Sequence, residues 1–66
     1  MRLTINGSER EELGPLTVRE LLDRLSLPKS GVAVERNKEI VPRDRHAEQE
    51  LADGDQLEIV TLVGGG

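Results

Sequence analysis

Thr17-Val18-Arg19-Glu20 is a capping box, and it opens the clearest helical stripe in the chain. Thr17 sits at the N-cap and Glu20 at N3, where each satisfies a backbone amide of the other. Val18, Leu21, Leu22 and Leu25 then recur at i, i+3, i+4 and i+7. They form one apolar face about two turns long. Leu27 closes the end of that face, and Pro28 is read as the stop. A helix so short does not persist alone in water. It must lie on a sheet, and the segments around it carry the two-residue period of strands.

Leu3 and Ile5 alternate with Arg2 and Thr4, as in a half-buried strand. Asn6-Gly7 follows, a hairpin signal because both residues tolerate positive φ. The return strand is expected over residues 9–13. A two-residue loop would pair Ile5 with Ser8 and turn Leu13 away from the core. A three-residue loop would pair Ile5 with Glu9 and put Leu13 on the face of Met1, Leu3 and Ile5. Core patterning favours the second, since a one-residue slip flips every side chain. Val32 and Val34 flank Ala33 in a third strand. Asn37-Lys38 reads as a turn before Ile40 and Val41, and Pro42 ends that segment or places it at an edge. The polar stretch 43–50 has little period, with at most a helical turn at His46-Ala47-Glu48. Ala52-Asp53-Gly54-Asp55 is a turn, and residues 57–63 form the last and most apolar strand.

One helix on one mixed sheet is an economical two-layer solution for 66 residues. The expected fold is α+β, a sheet of four to five strands with one main helix on one face. Residues 1–63 are expected to form the domain and residues 64–66 a flexible tail. The core is aliphatic, drawn from ten Leu, six Val and three Ile, with no aromatic residue to fill volume. A scaffold this small has little stability to spare. The absence of cysteine leaves no disulfide, thiolate nucleophile or Cys-ligated metal. A net charge of −4 disfavours a nucleic-acid partner and suits a basic protein surface. The first residues turn polar too soon for a signal peptide, and no apolar run approaches membrane-spanning length.

Gly64-Gly65-Gly66 follows directly on the last strand. Glycine carries the largest entropy cost on ordering and returns no side-chain contact. Such a tail contributes nothing to a fold. It can enter a narrow channel that any Cβ would block, and three extended residues reach about 10 Å. That carries a terminal carboxylate into another protein's active site. Joined to AMP, a carboxylate becomes an acyl group that sulfur can attack, and the product can be a thiocarboxylate. The chain has no nucleotide-binding glycine motif and no cysteine, so another enzyme must bind ATP and supply the sulfur. The bland alternative is a frayed end or linker. Along the last strand Leu57 and Ile59 share one face, and Val60 lies with Leu62 on the other. If Leu57 and Ile59 face the helix, Val60 and Leu62 form an exposed apolar patch beside the tail, a candidate docking surface.

The run Asn37-Lys38-Glu39-Ile40-Val41-Pro42-Arg43, the later Leu51-Ala52-Asp53-Gly54-Asp55 and the ending Val60-Thr61-Leu62-Val63-Gly64-Gly65-Gly66 resemble a known family. The Asn6-Gly7 hairpin and the helix start at Thr17 add to the likeness. The family is that of the ubiquitin-like sulfur carriers of bacterial thiamine (thiazole) biosynthesis, the ThiS family. The resemblance implies the β-grasp fold, with the last strand central and parallel to the first. It implies that an adenylating, E1-like enzyme activates the Gly66 carboxylate with ATP and magnesium. A relay fed by a cysteine desulfurase then converts it to a thiocarboxylate, and thiazole synthase receives the sulfur. Gly65 and Gly66 match the terminal diglycine, Gly64 is an extra glycine, and Val60 and Leu62 fall on the side that related carriers present to their enzymes. It also implies a cytoplasmic protein that is not itself an enzyme and binds no cofactor.

Three other functions fit parts of this pattern. The small subunit of molybdopterin synthase uses the same chemistry but is usually longer and richer in aromatics. A ubiquitin-like modifier would be attached to lysines through Gly66, and a passive interaction domain would have no covalent role. Among the remaining residues, His46 is expected to be a solvated loop residue, and Glu9, Glu11 and Glu12 a solvated strand face. Asp53 and Asp55 lack calcium-loop spacing.

Overall fold

The structure, a computed structural model, describes residues 1–28 and 30–62. Among them are β1 (Arg2–Ile5), β2 (Ser8–Glu11), α1 (Val18–Arg24), β3 (Val32–Arg36), β4 (Glu39–Val41) and β5 (Gln56–Thr61), with a 3-10 turn at Arg43–Arg45. All five strands join one sheet in the order β2-β1-β5-β3-β4. The last strand is therefore the middle one, parallel to β1 and antiparallel to β3. This is the β-grasp arrangement.

The first hairpin corrects the register favoured from patterning. Ile5 pairs with Ser8, so the loop is the two residues Asn6 and Gly7, at φ 50° and 85°. Two positive-φ residues give a turn whose twist matches that of the strands. That local preference outweighs the gain from burying Leu13, which lies beyond β2 and is 83% exposed. Leu16, three residues on, is buried instead. Asn37 and Lys38, at φ 52° and 72°, build the second hairpin in the same way between Arg36 and Glu39.

Helix α1 begins as its capping box requires. Thr17 Oγ1 accepts from the Glu20 amide at 3.2 Å, and Glu20 Oε1 accepts from the Thr17 amide at 2.9 Å. Its end comes earlier than Pro28. Ser26 adopts φ 60°, its amide donates to Asp23 O, and the Leu27 amide donates to Leu22 O, both at 3.0 Å. These two bonds are a Schellman cap, with serine in the position glycine usually takes. Leu25 falls at the C-cap and is half-buried. Val18, Leu21 and Leu22 pack in one cluster with Leu3, Leu57 and Ile59, while Ile5 and Leu25 lean on its margin.

The crossover from β4 to β5 is strapped to the helix start. Val18 N donates to Gln49 O at 2.9 Å, Arg19 N to His46 O at 2.8 Å, and Leu51 N to Leu16 O at 2.8 Å. The helical turn expected at His46 lies instead at Arg43–Arg45, and it rolls His46 inward. His46 is not solvated: it is 2% exposed, with Nε2 3.1 Å from Val41 O. The expectation for Glu12 also changes. Its side chain is covered by Arg10 and Arg24, with Arg24 Nη1 at 2.9 Å, whereas Glu9 and Glu11 are exposed.

Candidate functional site

Strand β5 alternates from Gln56 to Val60, and Thr61 at its end is exposed as well. Leu57 and Ile59 are buried in the core, while Val60 is 54% exposed and Leu62 is 60% exposed. Val60 and Leu62 therefore stand on the outer face of the sheet, away from the helix, at the end of the strand that runs toward the glycines. Gly64, Gly65 and Gly66 lie outside the described residues, so the expectations placed on them are not tested by this geometry.

Three contacts hold β5 in place. At its start, the Asp55 carboxylate is 5% exposed and accepts from Arg36 Nε at 2.7 Å, Ala52 N at 2.8 Å and Asn37 Nδ2 at 3.1 Å. Burial alone would raise its pKa; the arginine, the amide of Ala52 and the asparagine outweigh burial and hold it below the usual carboxylate range. Asn37 Oδ1 then accepts from Gln56 N at 2.9 Å. Asp53 serves the same turn by accepting from Arg2 N at 2.6 Å.

On the β1 side, pairing with β5 ends at Ile5 and Leu57. The side chain of Asn6 continues it. Its Oδ1 accepts from Ile59 N at 2.8 Å and its Nδ2 donates to Ile59 O at 3.1 Å. A primary amide presents one donor and one acceptor side by side, as a strand residue does. On the β3 side, Leu62 N donates to Gly31 O. Gly31 adopts φ 73°, and a Cβ there would lie 3.2 Å from Leu62 O. A side chain there would combine a strained left-handed backbone with a contact that obliges Leu62 to give by a few tenths of an ångström. The exposed pair Val60 and Leu62 is thus presented on a strand clipped at both edges.

Residues that patterning missed complete this face. Asn6 and Gly31 could be read as turn residues, but their bonds to Ile59 and Leu62 span long stretches of chain. Ile40, 67% exposed, lies on the same outer face, opposite Glu35. An open cleft of about 310 Å³ lies along β4 and the crossover, bordered by Arg36, Ile40, Pro42, Arg45 and Gln49. Arg45 there is bound to Glu48 at 3.3 Å. Among the described residues no group of three or more His, Cys, Asp or Glu side chains could hold a metal. Among them, too, no helix is long and apolar enough to cross a membrane.

The ThiS family model matches residues 3–66, glycine run included. The chain is 43% identical to the sulfur carrier protein ThiS of Bacillus subtilis, over 97% of this chain and 98% of that one. It is 33% identical to the Escherichia coli sulfur carrier protein ThiS over the full length of both. It is 50% identical over its whole length to a thiazole synthase of Paramagnetospirillum magneticum, of which it spans 20%. The crystal structure of the thiamine biosynthesis protein ThiS from Geobacter metallireducens superposes with a TM-score of 0.83, at 36% identity over 100% of both chains. With the central parallel β5, the capped helix and the exposed strand end all in place, this chain belongs to the ThiS family.

Proposed function

We propose that this protein is the sulfur carrier of thiamine thiazole synthesis and works through the carboxylate of Gly66. The carboxylate oxygen attacks the α-phosphate of ATP on a magnesium-dependent, E1-like adenylating enzyme. Pyrophosphate leaves, and an acyl adenylate forms. A persulfide of the cysteine desulfurase relay attacks the acyl carbon and AMP leaves with the electron pair; a thiol then cleaves the S–S bond of the acyl disulfide, is oxidised to a disulfide with the relay cysteine, and releases the carrier's sulfur. The resulting thiocarboxylate carries a nucleophilic sulfur to thiazole synthase. The carrier acts as co-substrate rather than catalyst and meets these soluble enzymes in the cytoplasm. Val60 and Leu62 are its docking residues, Gly64 and Gly65 its channel-threading tether.

The observation that carries this reading is the exposed pair Val60 and Leu62 on a strand that feeds a glycine run. In the sequence the proposed tether follows the proposed docking patch after Val63 alone. The thiazole branch is supported by the two thiazole synthases of which a region like this chain forms a part. A carrier domain and its acceptor are useful in one polypeptide because linkage raises their effective concentration.

The test incubates the purified chain with its adenylating partner, ATP, magnesium and a sulfur source. The intact mass should rise by the difference between one sulfur and one oxygen, and fragmentation should place the gain on Gly66. Absence of the gain with a demonstrably active partner refutes the proposal. Isopeptide adducts on lysines would identify a modifier instead. Rescue of molybdopterin auxotrophy, without rescue of thiazole auxotrophy, would move the carrier to that pathway.

A further inference from the structure

The outer face of the sheet carries an arrangement that the fold does not explain. Glu35 on β3 and Glu58 on β5 are directly opposite each other in the ladder. Glu35 is half-buried and Glu58 is exposed. Like charges placed directly across two strands are destabilising. Elsewhere this chain neutralises its covered carboxylates: Glu12 lies between Arg10 and Arg24, and Asp55 holds Arg36. Among the described residues, neither Glu35 nor Glu58 has an ion pair or a side-chain hydrogen bond.

The pair also sits inside the apolar patch. One step along the two strands, Ala33 and Val60 are opposed, and Leu62 follows. On the other flank Ile40 is opposite Glu35. Two carboxylates without a cation among the described residues are therefore framed by three exposed aliphatic side chains, 54%, 60% and 67% exposed at Val60, Leu62 and Ile40. The same outer face carries Glu9 and Glu11 against a single arginine, Arg2, which is already bound to Glu11 at 3.4 Å.

The geometry points to a docking surface whose occupant is an enzyme surface presenting an arginine or lysine, framed by apolar side chains, which seats between Glu35 and Glu58. A cation there relieves the repulsion built into the free carrier, and the aliphatic frame excludes water around it. A guanidinium suits the position best, because its planar fork can serve two carboxylates. A second copy of this chain does not fit: a two-fold contact through this face would set acid on acid. The inference deepens the carrier reading and rests on it, since the partner is the adenylating enzyme that receives the Gly66 tail.

The experiment measures affinity of the full chain for its adenylating enzyme at low and high ionic strength. The double variant Glu35→Gln/Glu58→Gln should bind at least about tenfold more weakly, the lower end of what close interfacial charge pairs are worth. Its affinity should also depend less on salt. Its denaturation midpoint should equal or exceed that of the wild type. Glu58→Gln alone, at an exposed site, gives the same sign with less structural risk. Asp23→Asn removes one charge from the exposed side of the helix and serves as control for Glu58→Gln, which changes the net charge by the same amount. Affinity of the double variant within about twofold of wild type, weakening by Asp23→Asn equal to that by Glu58→Gln, a lowered denaturation midpoint, or a dimer of the free chain in sedimentation would each overturn the inference. If the wild type gains sulfur at Gly66 while the double variant binds as tightly, the docking inference fails and the carrier reading stands. If the wild type neither binds nor gains sulfur, both fall.

Discussion

The clip between Asn6 and β5 can be separated into its parts by two substitutions. In the native chain Asn6 does two things: it occupies φ 50° in the hairpin, and its amide makes two bonds to the backbone of Ile59. Asn6→Gly keeps the turn conformation and removes the amide. Two neutral hydrogen bonds are worth about 0.5–1.5 kcal/mol each, so the variant should lose about 1–3 kcal/mol. Asn6→Ala loses the same bonds and must also hold a left-handed conformation, which adds about 1–2 kcal/mol. Against a total of about 3–5 kcal/mol for a scaffold this small, alanine should leave the domain close to unfolded. Urea denaturation gives both differences. Amide exchange at Ile59 reads the clip directly, and its protection should fall more in Asn6→Gly than the global stability does. If Asn6→Gly costs less than about 0.5 kcal/mol and Ile59 exchanges as in wild type, the side chain does not hold the strand, and the account of how β5 is presented is wrong.

Leu22→Ala removes a side chain that is 1% exposed at the centre of the helix–sheet contact; the expected cost is about 2–5 kcal/mol by denaturation, and an unchanged midpoint would refute the packing. Leu62→Asp places a charge on a residue that is 60% exposed, so the fold should survive while affinity for the adenylating enzyme drops; unfolding or unchanged affinity contradicts the docking role. Arg10 and Arg24 hold the Glu12 carboxyl below its usual 4.5, and Asp55, despite burial, lies below its usual 3.8 through Arg36 and its neighbours. Groups with depressed folded values stabilise above the unfolded value and lose that contribution as pH falls through the folded one; the thermal midpoint should decline below the ordinary carboxylate range, and Asp55→Asn should flatten that decline. Deleting Gly66 shortens the reach by about 3.5 Å and should abolish sulfur transfer with no change in denaturation midpoint; transfer at the wild-type rate would remove Gly66 from the mechanism.

Much of this protein was legible locally. The capping box at Thr17, the stripe of Val18, Leu21 and Leu22, the positive-φ turns at Asn6-Gly7 and Asn37-Lys38, and the alternation of Leu57 and Ile59 with Val60 each rest on short-range geometry. A helix period or a turn needs only neighbours along the chain, so the residues themselves specify it. The exposure of Val60 and Leu62 followed from that alternation once Leu57 and Ile59 faced the helix. The place of β5 at the centre of the sheet came from resemblance rather than pattern, because nothing local fixes strand order. What only the tertiary structure decided involves partners far apart in sequence. Leu13 lost its place to Leu16 because the turn, not the apolar count, set the register. His46 became a core residue because the crossover is strapped to the helix start. Glu12 found Arg24, Asn6 found Ile59, and Glu35 came to lie opposite Glu58. Each of these depends on which strands meet and in what register, and that is settled by burial of the whole core at once, which no window of sequence contains.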